Sequence, residues 1–275
     1  MITDFSTFGE QYEAYLRTHK YSKLETWPFM RLPVMVSIIA LYLYFVLVKG
    51  PRFMAHRKPF SLQPILVAYN SFMVLYSIFL VIYPFFNGHM KYLYEGGYCH
   101  PKVRTPSEYL LLRESSYGWW YLISKIVELS DTVFFVLRKK ENQITFLHVY
   151  HHSSTAIYVW FYLTYLPGSQ GLVIAFLNSL VHVFMYSYYM IAAMGPRFHR
   201  YLWWKKYITW IQLVQFSLML SCMVGLLAWN CDQPKFVSVY FIFISCAYLL
   251  LFSNFYRKTY TKKVQDRTNA RKFER

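Results

Sequence analysis

Three histidines within one helical turn are the first residues in this sequence that could do chemistry. They are His148, His151 and His152, and their spacing puts them on one face of a helix. Neutral imidazole binds metals, and it also acts as a nucleophile or as a general base near neutral pH. The three lie within an apolar segment, where leucine would pack better, so they indicate a functional site.

Three further apolar segments carry polar residues at helical spacing. They are Lys125, Glu128 and Asp131 in one segment, Asn178 and His182 in another, and Gln212 and Gln215 in a third. Ionisable side chains inside apolar spans are costly and mark functional sites by default. Two structural interpretations stay open. Gln212 and Gln215 can form hydrogen bonds that join helices, and Lys125 can form a neutral structural pair with Glu128.

The composition indicates the environment of these residues. The chain has 275 residues, of which 56% are hydrophobic, 21% aromatic and 15% charged, whereas about 25% are charged in a soluble domain. Disordered chains, collagens and coiled coils do not contain so many aromatic residues. Apolar runs extend from Trp27 to Tyr256. The sequence therefore predicts an integral membrane protein.

Seven segments are long enough to cross the hydrocarbon core as helices, each of which takes roughly 20 apolar residues. They are residues 27–48, 66–86, 117–137, 143–165, 169–191, 206–229 and 236–256. Helices are preferred over barrel strands because the runs are continuous and too long for tilted strands. The predicted organisation is one all-α transmembrane domain, 27–256, between an N-terminal segment, 1–26, and a basic tail, 257–275. No cleaved signal peptide is expected.

The positions of Lys and Arg predict the orientation. Most of them lie in the connections 49–58, 138–140 and 197–206 and in the tail, so this side is predicted to be cytosolic and the N-terminus to lie outside the cytosol. The formal net charge of +16 would also suit nucleic acid. The basic residues cluster at span ends, however, where anionic lipid or an anionic soluble substrate explains them. No nucleic-acid partner is expected.

On this topology the polar residues of all four segments lie at one level. At about 1.5 Å of rise per residue they are roughly 8–20 Å from the cytosolic ends of their spans. Independent structural residues have no reason to share a level, so the pattern predicts one buried polar site open to the cytosol. A seven-helix receptor or transporter is an alternative, although a receptor site normally opens to the outside.

Two chemistries stay open for the histidines. A metal-dependent lipid oxidoreductase would need more ligands than the four histidines within spans for a di-iron site, while a mononuclear zinc site is open by count. The sequence has no Cys-x-x-Cys pair and no G-x-S-x-G elbow. Without metal, imidazole itself has to act as nucleophile and base. Glu128 and Asp131 would then orient imidazoles, and Lys125 or Asn178 would stabilise an oxyanion.

The four cysteines divide into two pairs. Cys222 and Cys246 fall within predicted spans, whereas Cys99 and Cys231 fall in loops on the predicted non-cytosolic side. Oxidising conditions on that side favour a disulfide between Cys99 and Cys231, with two unrelated free thiols as the alternative.

In order and spacing, the polar residues resemble the sequence boxes of the fatty acid elongases, the endoplasmic-reticulum condensing enzymes of very-long-chain fatty acid synthesis. The matching boxes are Lys125-x-x-Glu128-x-x-Asp131-Thr132, His148-x-x-His151-His152, Asn178-x-x-x-His182-Val-x-Met-Tyr186-x-Tyr188-Tyr189 and Thr209-x-x-Gln212-x-x-Gln215. Four boxes in order are highly specific. The resemblance covers the chain from the first span to the basic tail.

This resemblance implies a seven-helix protein whose last six helices form a barrel around a narrow substrate tunnel. It implies condensation of an acyl-CoA with malonyl-CoA, which releases CO₂ and CoA and gives a 3-ketoacyl-CoA, without a metal or other cofactor. The implied partners are membrane lipid and the ketoacyl-CoA reductase, dehydratase and enoyl reductase of the cycle, and a homo-oligomer is compatible with it. The implied location is the endoplasmic-reticulum membrane, with a lumenal N-terminus and a cytosolic C-terminus. The last residues, 271–275, depart from the dilysine retention signal common in the family.

Roles for individual residues follow from the resemblance. We expect His151 to accept the acyl group as an acyl-imidazole, and the enolate formed from malonyl-CoA to attack it. His148, His152 and His182 would orient groups or move protons, and Asn178 and Lys125 would stabilise the oxyanion or the carboxylate. The residues expected to bind substrate are Gln212, Gln215, Tyr186 and Tyr189, with the CoA head at Arg138, Lys139, Lys205, Lys206, Arg257 and Lys258. The preferred acyl chain length depends on how residues such as Trp160, Phe161, Phe176, Leu220 and Met223 close the far end of the tunnel, and periodicity does not locate that end.

Overall fold

The computed structural model describes residues 24–94, 108–165, 170–229 and 235–262, and these residues form helices and connections without a strand. The long helices are α1 (Leu32–Met54), α2 (Gln63–Phe86), α3 (Glu108–Leu137), α4 (Phe146–Tyr165), α5 (Gln170–Ala193), α6 (Lys205–Ala228) and α7 (Lys235–Tyr256). The shorter helical turns are Leu24–Thr26, His89–Tyr92, Glu141–Gln143, Pro196–Tyr201 and Arg257–Lys262. The predicted all-α class is confirmed.

Two sequence predictions concern residues outside the described part of the chain. Cys99 and Cys231 lie there, so their disulfide stays a prediction, while Cys222 and Cys246 are free thiols. Most of the N-terminal segment and the tail after residue 262 also lie there.

Five of the long helices have the length and apolar composition needed to cross a membrane: α1, α2, α5, α6 and α7. The two long helices that do not meet this standard, α3 and α4, are the ones that carry the acidic residues and the histidine triplet. The polar residues of the candidate site thus reduce the apolar character of the two helices that carry most of its ionisable side chains.

Helix α1 extends past its predicted end. It continues through a π-helical turn, Phe45–Lys49, and through Gly50-Pro51 to Met54. Pro51 is tolerated because it stands at the first turn of the segment after the π turn. A Cβ at Gly50 would lie 2.7 Å from the Val136 side chain and 2.7 Å from the Phe45 carbonyl oxygen. Glycine thus allows α1 and α3 to approach closely.

Helix α3 begins earlier than predicted and ends in a Schellman turn. The predicted span covers residues 117–137, whereas the helix already begins at Glu108 and includes residues 108–116 without a break. At the other end, the Lys140 N–H donates to the Phe135 carbonyl over 2.9 Å and the Lys139 N–H to the Val136 carbonyl over 3.0 Å. Lys139 has a φ of 52°, the left-handed conformation that this turn requires and that glycine usually supplies.

Six of the long helices form a closed ring of neighbouring contacts. Helix α2 packs against α3, α3 against α4, α4 against α7, α7 against α6, α6 against α5, and α5 against α2. Helix α1 packs beside α3 and α4.

Three connections lie at the same end of this helical bundle. The Phe60 N–H donates to the Leu137 carbonyl over 3.1 Å, which joins the α1–α2 connection to the end of α3. The Gln63 side chain donates to the Met194 carbonyl over 3.3 Å, which joins the start of α2 to the end of α5. The Tyr188 and Trp204 ring centroids are 5.4 Å apart, which joins the last turns of α5 to the start of α6. Phe252, near the end of α7, packs on Phe216 in the middle of α6, with ring centroids 5.1 Å apart. The distances of the polar segments of α3, α4, α5 and α6 from this common end of the bundle can therefore be compared.

Candidate active site

A buried network joins the polar faces of α3 and α5. The Lys125 ammonium lies 2.7 Å from Glu128 Oε1 and 2.7 Å from Asn178 Oδ1, and His182 Nδ1 lies 3.1 Å from the same glutamate oxygen. The Tyr121 hydroxyl donates to Asn178 Oδ1 over 2.8 Å. All five side chains are at most 7% exposed. A charged pair at this depth requires its partners, because an unpaired buried charge is strongly destabilising.

Donor and acceptor chemistry fixes two orientations in this network. Lysine has no acceptor, so the atom that Asn178 turns towards Lys125 is its oxygen, and its NH₂ group is left free to donate. A carboxylate accepts only, so His182 carries its proton on Nδ1 towards Glu128 and keeps Nε2 as an acceptor. The arrangement thus presents one amide donor and one imidazole base.

The histidine triplet on α4 continues the polar layer. The His148 and His152 ring centroids are 4.3 Å apart, and those of His151 and His152 are 5.6 Å apart. His148 Nε2 lies 3.0 Å from the hydroxyl of Thr132 on α3. In the described part of the chain, His151 Nδ1 and His152 Nδ1 are buried without a hydrogen-bond partner.

A largely apolar cavity begins at this layer and runs between five helices. Its empty space, including the part that is open, is about 1030 Å³. The polar residues at one end of its wall are His151, Thr155, Asn178, Gln215 and Tyr248. Along α4 the wall continues from His151 to Leu163, roughly 18 Å at 1.5 Å per residue. This length is similar to half the thickness of the bilayer hydrocarbon core, which is about 30 Å in total. It therefore suits a long acyl chain.

Of the three histidines in the triplet, only His151 is among the described residues that line the cavity. Its ring is held edge-on by the Tyr248 and Phe252 rings of α7, at centroid distances of 4.8 and 5.4 Å. The Tyr248 hydroxyl is in turn fixed by Thr155, at 2.7 Å, and by Ser154, at 3.0 Å. The position of His151 is therefore set by packing from a neighbouring helix.

The other residues predicted to bind substrate differ in their surroundings. Gln215 lines the cavity, and its Oε1 has no partner among the described residues. Gln212 instead contacts the Met185 sulfur at 3.8 Å. Tyr186 donates to Asp131 Oδ2 over 2.8 Å, and Tyr189 is exposed. Because Gln212, Tyr186 and Tyr189 are not among the described lining residues, their contact with substrate stays a prediction.

The six basic residues proposed for the CoA head lie near the common end described above, outside the described lining of the cavity. They are Arg138, Lys139, Lys205, Lys206, Arg257 and Lys258. Lys205, Lys206, Arg257 and Lys258 are exposed. The Lys139 ammonium donates to the Ala55 carbonyl over 3.1 Å, so it also holds the α1–α2 connection.

The expected tunnel-end residues are not those that the structure places at the cavity. None of Trp160, Phe161, Phe176, Leu220 and Met223 is among its described lining residues. Trp160 donates to the Met30 carbonyl over 2.9 Å, and Phe176 packs on Phe85. The half of the wall remote from His151 includes Tyr162, Leu163, Leu172 and Phe241. Helix periodicity alone cannot distinguish a residue facing the cavity from one facing a neighbouring helix.

Sequence reasoning missed three residues of the site: Tyr121, Thr155 and Tyr248. Tyr121 precedes Lys125 by four residues, so the same helical spacing could have found it. Tyr248 has no such signal, because its helix carries no charged residue near that level. With regard to metals, no group of three His, Cys, Asp or Glu side chains in the described ranges has a metal-holding arrangement.

The fold and site define an α-helical protein with several membrane-spanning helices and a buried histidine site beside an acyl-sized cavity. The family model described as "ELO: GNS1/SUR4 family" matches residues 27–268, and the chain belongs to this family. The resemblance drawn from the four sequence boxes is thereby confirmed.

Individual relatives carry elongase names. Very long chain fatty acid elongase 4 of Mus musculus is 39% identical over 249 residues, which cover 90% of this chain and 78% of that protein. Very long chain fatty acid elongase 1 of Homo sapiens is 40% identical over 249 residues, which cover 89% and 88%. Very long chain fatty acid elongase 7 of Drosophila melanogaster is 38% identical over 242 residues, which cover 86% and 72%.

Proposed function

We propose that this chain is a 3-oxoacyl-CoA synthase, which condenses a long-chain acyl-CoA with malonyl-CoA in fatty acid elongation. The observation that carries the proposal is the position of His151, whose ring lines the acyl-sized cavity while its Nδ1 has no described partner. The names of the relatives support the elongation of very-long-chain fatty acids.

The first half-reaction is acyl transfer to His151. An imidazole nitrogen attacks the thioester carbonyl carbon, the C–S bond breaks, and the proton lost from the imidazole goes to the departing CoA sulfur. The product is a neutral acyl-imidazole with its chain in the cavity. His151 suits this role better than His148, whose Nε2 is occupied by Thr132.

The second half-reaction forms the new carbon–carbon bond. Malonyl-CoA loses its carboxylate as CO₂, and the electron pair of the broken bond becomes an enolate. The enolate carbon attacks the acyl carbonyl, the bond to the imidazole breaks, and the imidazole takes up the proton that the overall reaction consumes. The products are a 3-ketoacyl-CoA, CO₂ and CoA.

Asn178 is the proposed oxyanion donor. Its oxygen is held by Lys125 and Tyr121, so its NH₂ group is prepositioned without any rearrangement during the reaction. Such a fixed donor in a site of low dielectric stabilises the charge that develops on the carbonyl oxygen. Lys125 therefore acts by orienting Asn178, because its ammonium is already bound to two partners.

His182, His152 and His148 are the proposed proton-handling groups. The Glu128 carboxylate orients His182 and leaves its Nε2 as a base. The close ring contacts within the α4 triplet connect His148 and His152 with His151.

We also propose that helices α2 to α7 form a barrel and that, with α1, seven helices span the endoplasmic-reticulum membrane. The closed sequence of helix contacts supports the barrel. The basic residues near the common end favour a cytosolic position for that end, with the CoA phosphates bound there and the N-terminus in the lumen.

Purified protein supplied with radiolabelled malonyl-CoA and a panel of acyl-CoAs, without added metal, tests this function. We expect acyl products two carbons longer and one CO₂ for each condensation. His151→Ala should lower the rate more than about 100-fold, while His199→Ala, at an exposed position on the Pro196–Tyr201 turn, should not. The proposal is wrong if the wild type makes no extended product, or if His151→Ala retains the wild-type rate.

A further inference from the structure

Helix α1 lies outside the ring formed by helices α2 to α7, yet one of its side chains reaches the polar layer. Tyr42 is 6% exposed, and its hydroxyl lies 2.8 Å from Thr132 Oγ1. Thr132 is fully buried, and the same oxygen lies 3.0 Å from His148 Nε2. The three side chains thus form a continuous hydrogen-bonded chain across α1, α3 and α4.

The direction of this chain follows from its donors and acceptors. A phenol and a threonine hydroxyl each have one hydrogen to donate. Within the described part of the molecule, the Tyr42 hydroxyl pairs with Thr132. A buried donor left unpaired is costly, so Tyr42 donates to Thr132, and Thr132 then donates its own hydrogen to His148 Nε2. His148 is thereby held with its proton on Nδ1.

We propose that Tyr42 and Thr132 are positioning residues for the condensation, which hold His148 in one tautomer and one ring orientation against His152. The proposal rests on the proposed function, because the orientation of His148 matters only if the α4 histidines carry out the chemistry. Neither residue is among the described residues that line the cavity, so both act through His148.

A purely structural role would give the same static picture, with Tyr42 fastening α1 to the rest of the protein. The two roles differ in their kinetic consequences. Fastening affects stability, whereas positioning lowers kcat and leaves the binding of both CoA substrates unchanged.

The test compares Tyr42→Phe, Thr132→Val and Thr132→Ser with a control, Tyr44→Phe. Tyr44 lies on the same helix two residues on and is 56% exposed. Tyr42→Phe should lower kcat about tenfold, equivalent to about 1.4 kcal/mol, with KM for both substrates within about twofold of wild type. Thr132→Val should lower kcat at least as much, and Thr132→Ser, which keeps the hydroxyl, should restore most of it. Tyr44→Phe should behave as the wild type.

The double variant Tyr42→Phe/Thr132→Val adds a second readout. If the two hydroxyls act in one chain, it should be no slower than Thr132→Val alone. Wild-type kcat in Tyr42→Phe, or a loss that only follows the melting temperature, would overturn the positioning role. If the wild type does not elongate, or His151→Ala remains active, the proposed function falls and this inference with it. Loss of activity in His151→Ala together with normal kcat in Tyr42→Phe would overturn this inference alone.

Discussion

Replacement of Asn178 by aspartate removes one amide donor and adds a negative charge beside Lys125. The two residues have nearly the same shape, and the Asn178→Asp variant keeps the oxygen that accepts from Lys125 over 2.7 Å and from Tyr121 over 2.8 Å. The change removes the NH₂ donor and puts an oxygen in its place. Removal of one oxyanion donor costs about 10²–10³ in kcat, or roughly 3–4 kcal/mol. We therefore expect at least a 100-fold loss.

The assay is the initial rate of label transfer from malonyl-CoA, with the melting temperature of each variant measured beside it. Ser179→Ala is the matched control, because that buried hydroxyl, on the next residue, donates to the carbonyl of Ala175 in its own helix over 2.7 Å. It should keep a rate near that of the wild type. Retention of more than one-tenth of the wild-type kcat by a stable Asn178→Asp protein would refute the assignment of Asn178 as the donor.

Two further changes test the ion pair and the shape of the cavity. Glu128→Gln leaves Lys125 buried without its counter-charge, which costs about 3–5 kcal/mol. The melting temperature should therefore fall by roughly 10 °C and partly recover in the double variant with Lys125→Met. An unchanged melting temperature would contradict a structural need for the pair. Gly118→Ala places a Cβ against a methyl of Leu163, closer than the two groups can stay, and both residues line the cavity. The leucine must then shift, and kcat/KM for the longest acyl-CoA should fall about fourfold, the effect of one lost methylene contact. The kcat/KM values for shorter acyl-CoAs should stay unchanged. An equal fall for all chain lengths would show that the change acts elsewhere.

The sequence predicts the helices well because apolar length is a direct signal. It is less reliable at their ends. Residues 108–116 belong to α3 although their composition is mixed, and α1 continues through Gly50-Pro51 because a π turn and a glycine contact with α3 accommodate them. Lys139 ends α3 in a conformation for which glycine would have been the usual signal.

The polar layer could also be predicted, since charged residues at steps of three and four within apolar helices have few structural explanations. Partners on different helices could not. The pairing of Asn178 with Lys125, and of Thr132 with both Tyr42 and His148, depends on how helices rotate and pack together. Single-helix periodicity does not contain that information.

The most direct measurement of the central claim is the mass of the protein after incubation with an acyl-CoA alone, followed by mapping of the modified peptide. We predict a mass increase of one acyl group on His151, release of one CoA for each protein, and loss of the adduct when malonyl-CoA is added. His151→Ala should show no adduct, and His199→Ala should show the same adduct as the wild type. An active enzyme that forms no acylated species, or that carries the acyl group on another residue, would contradict the account.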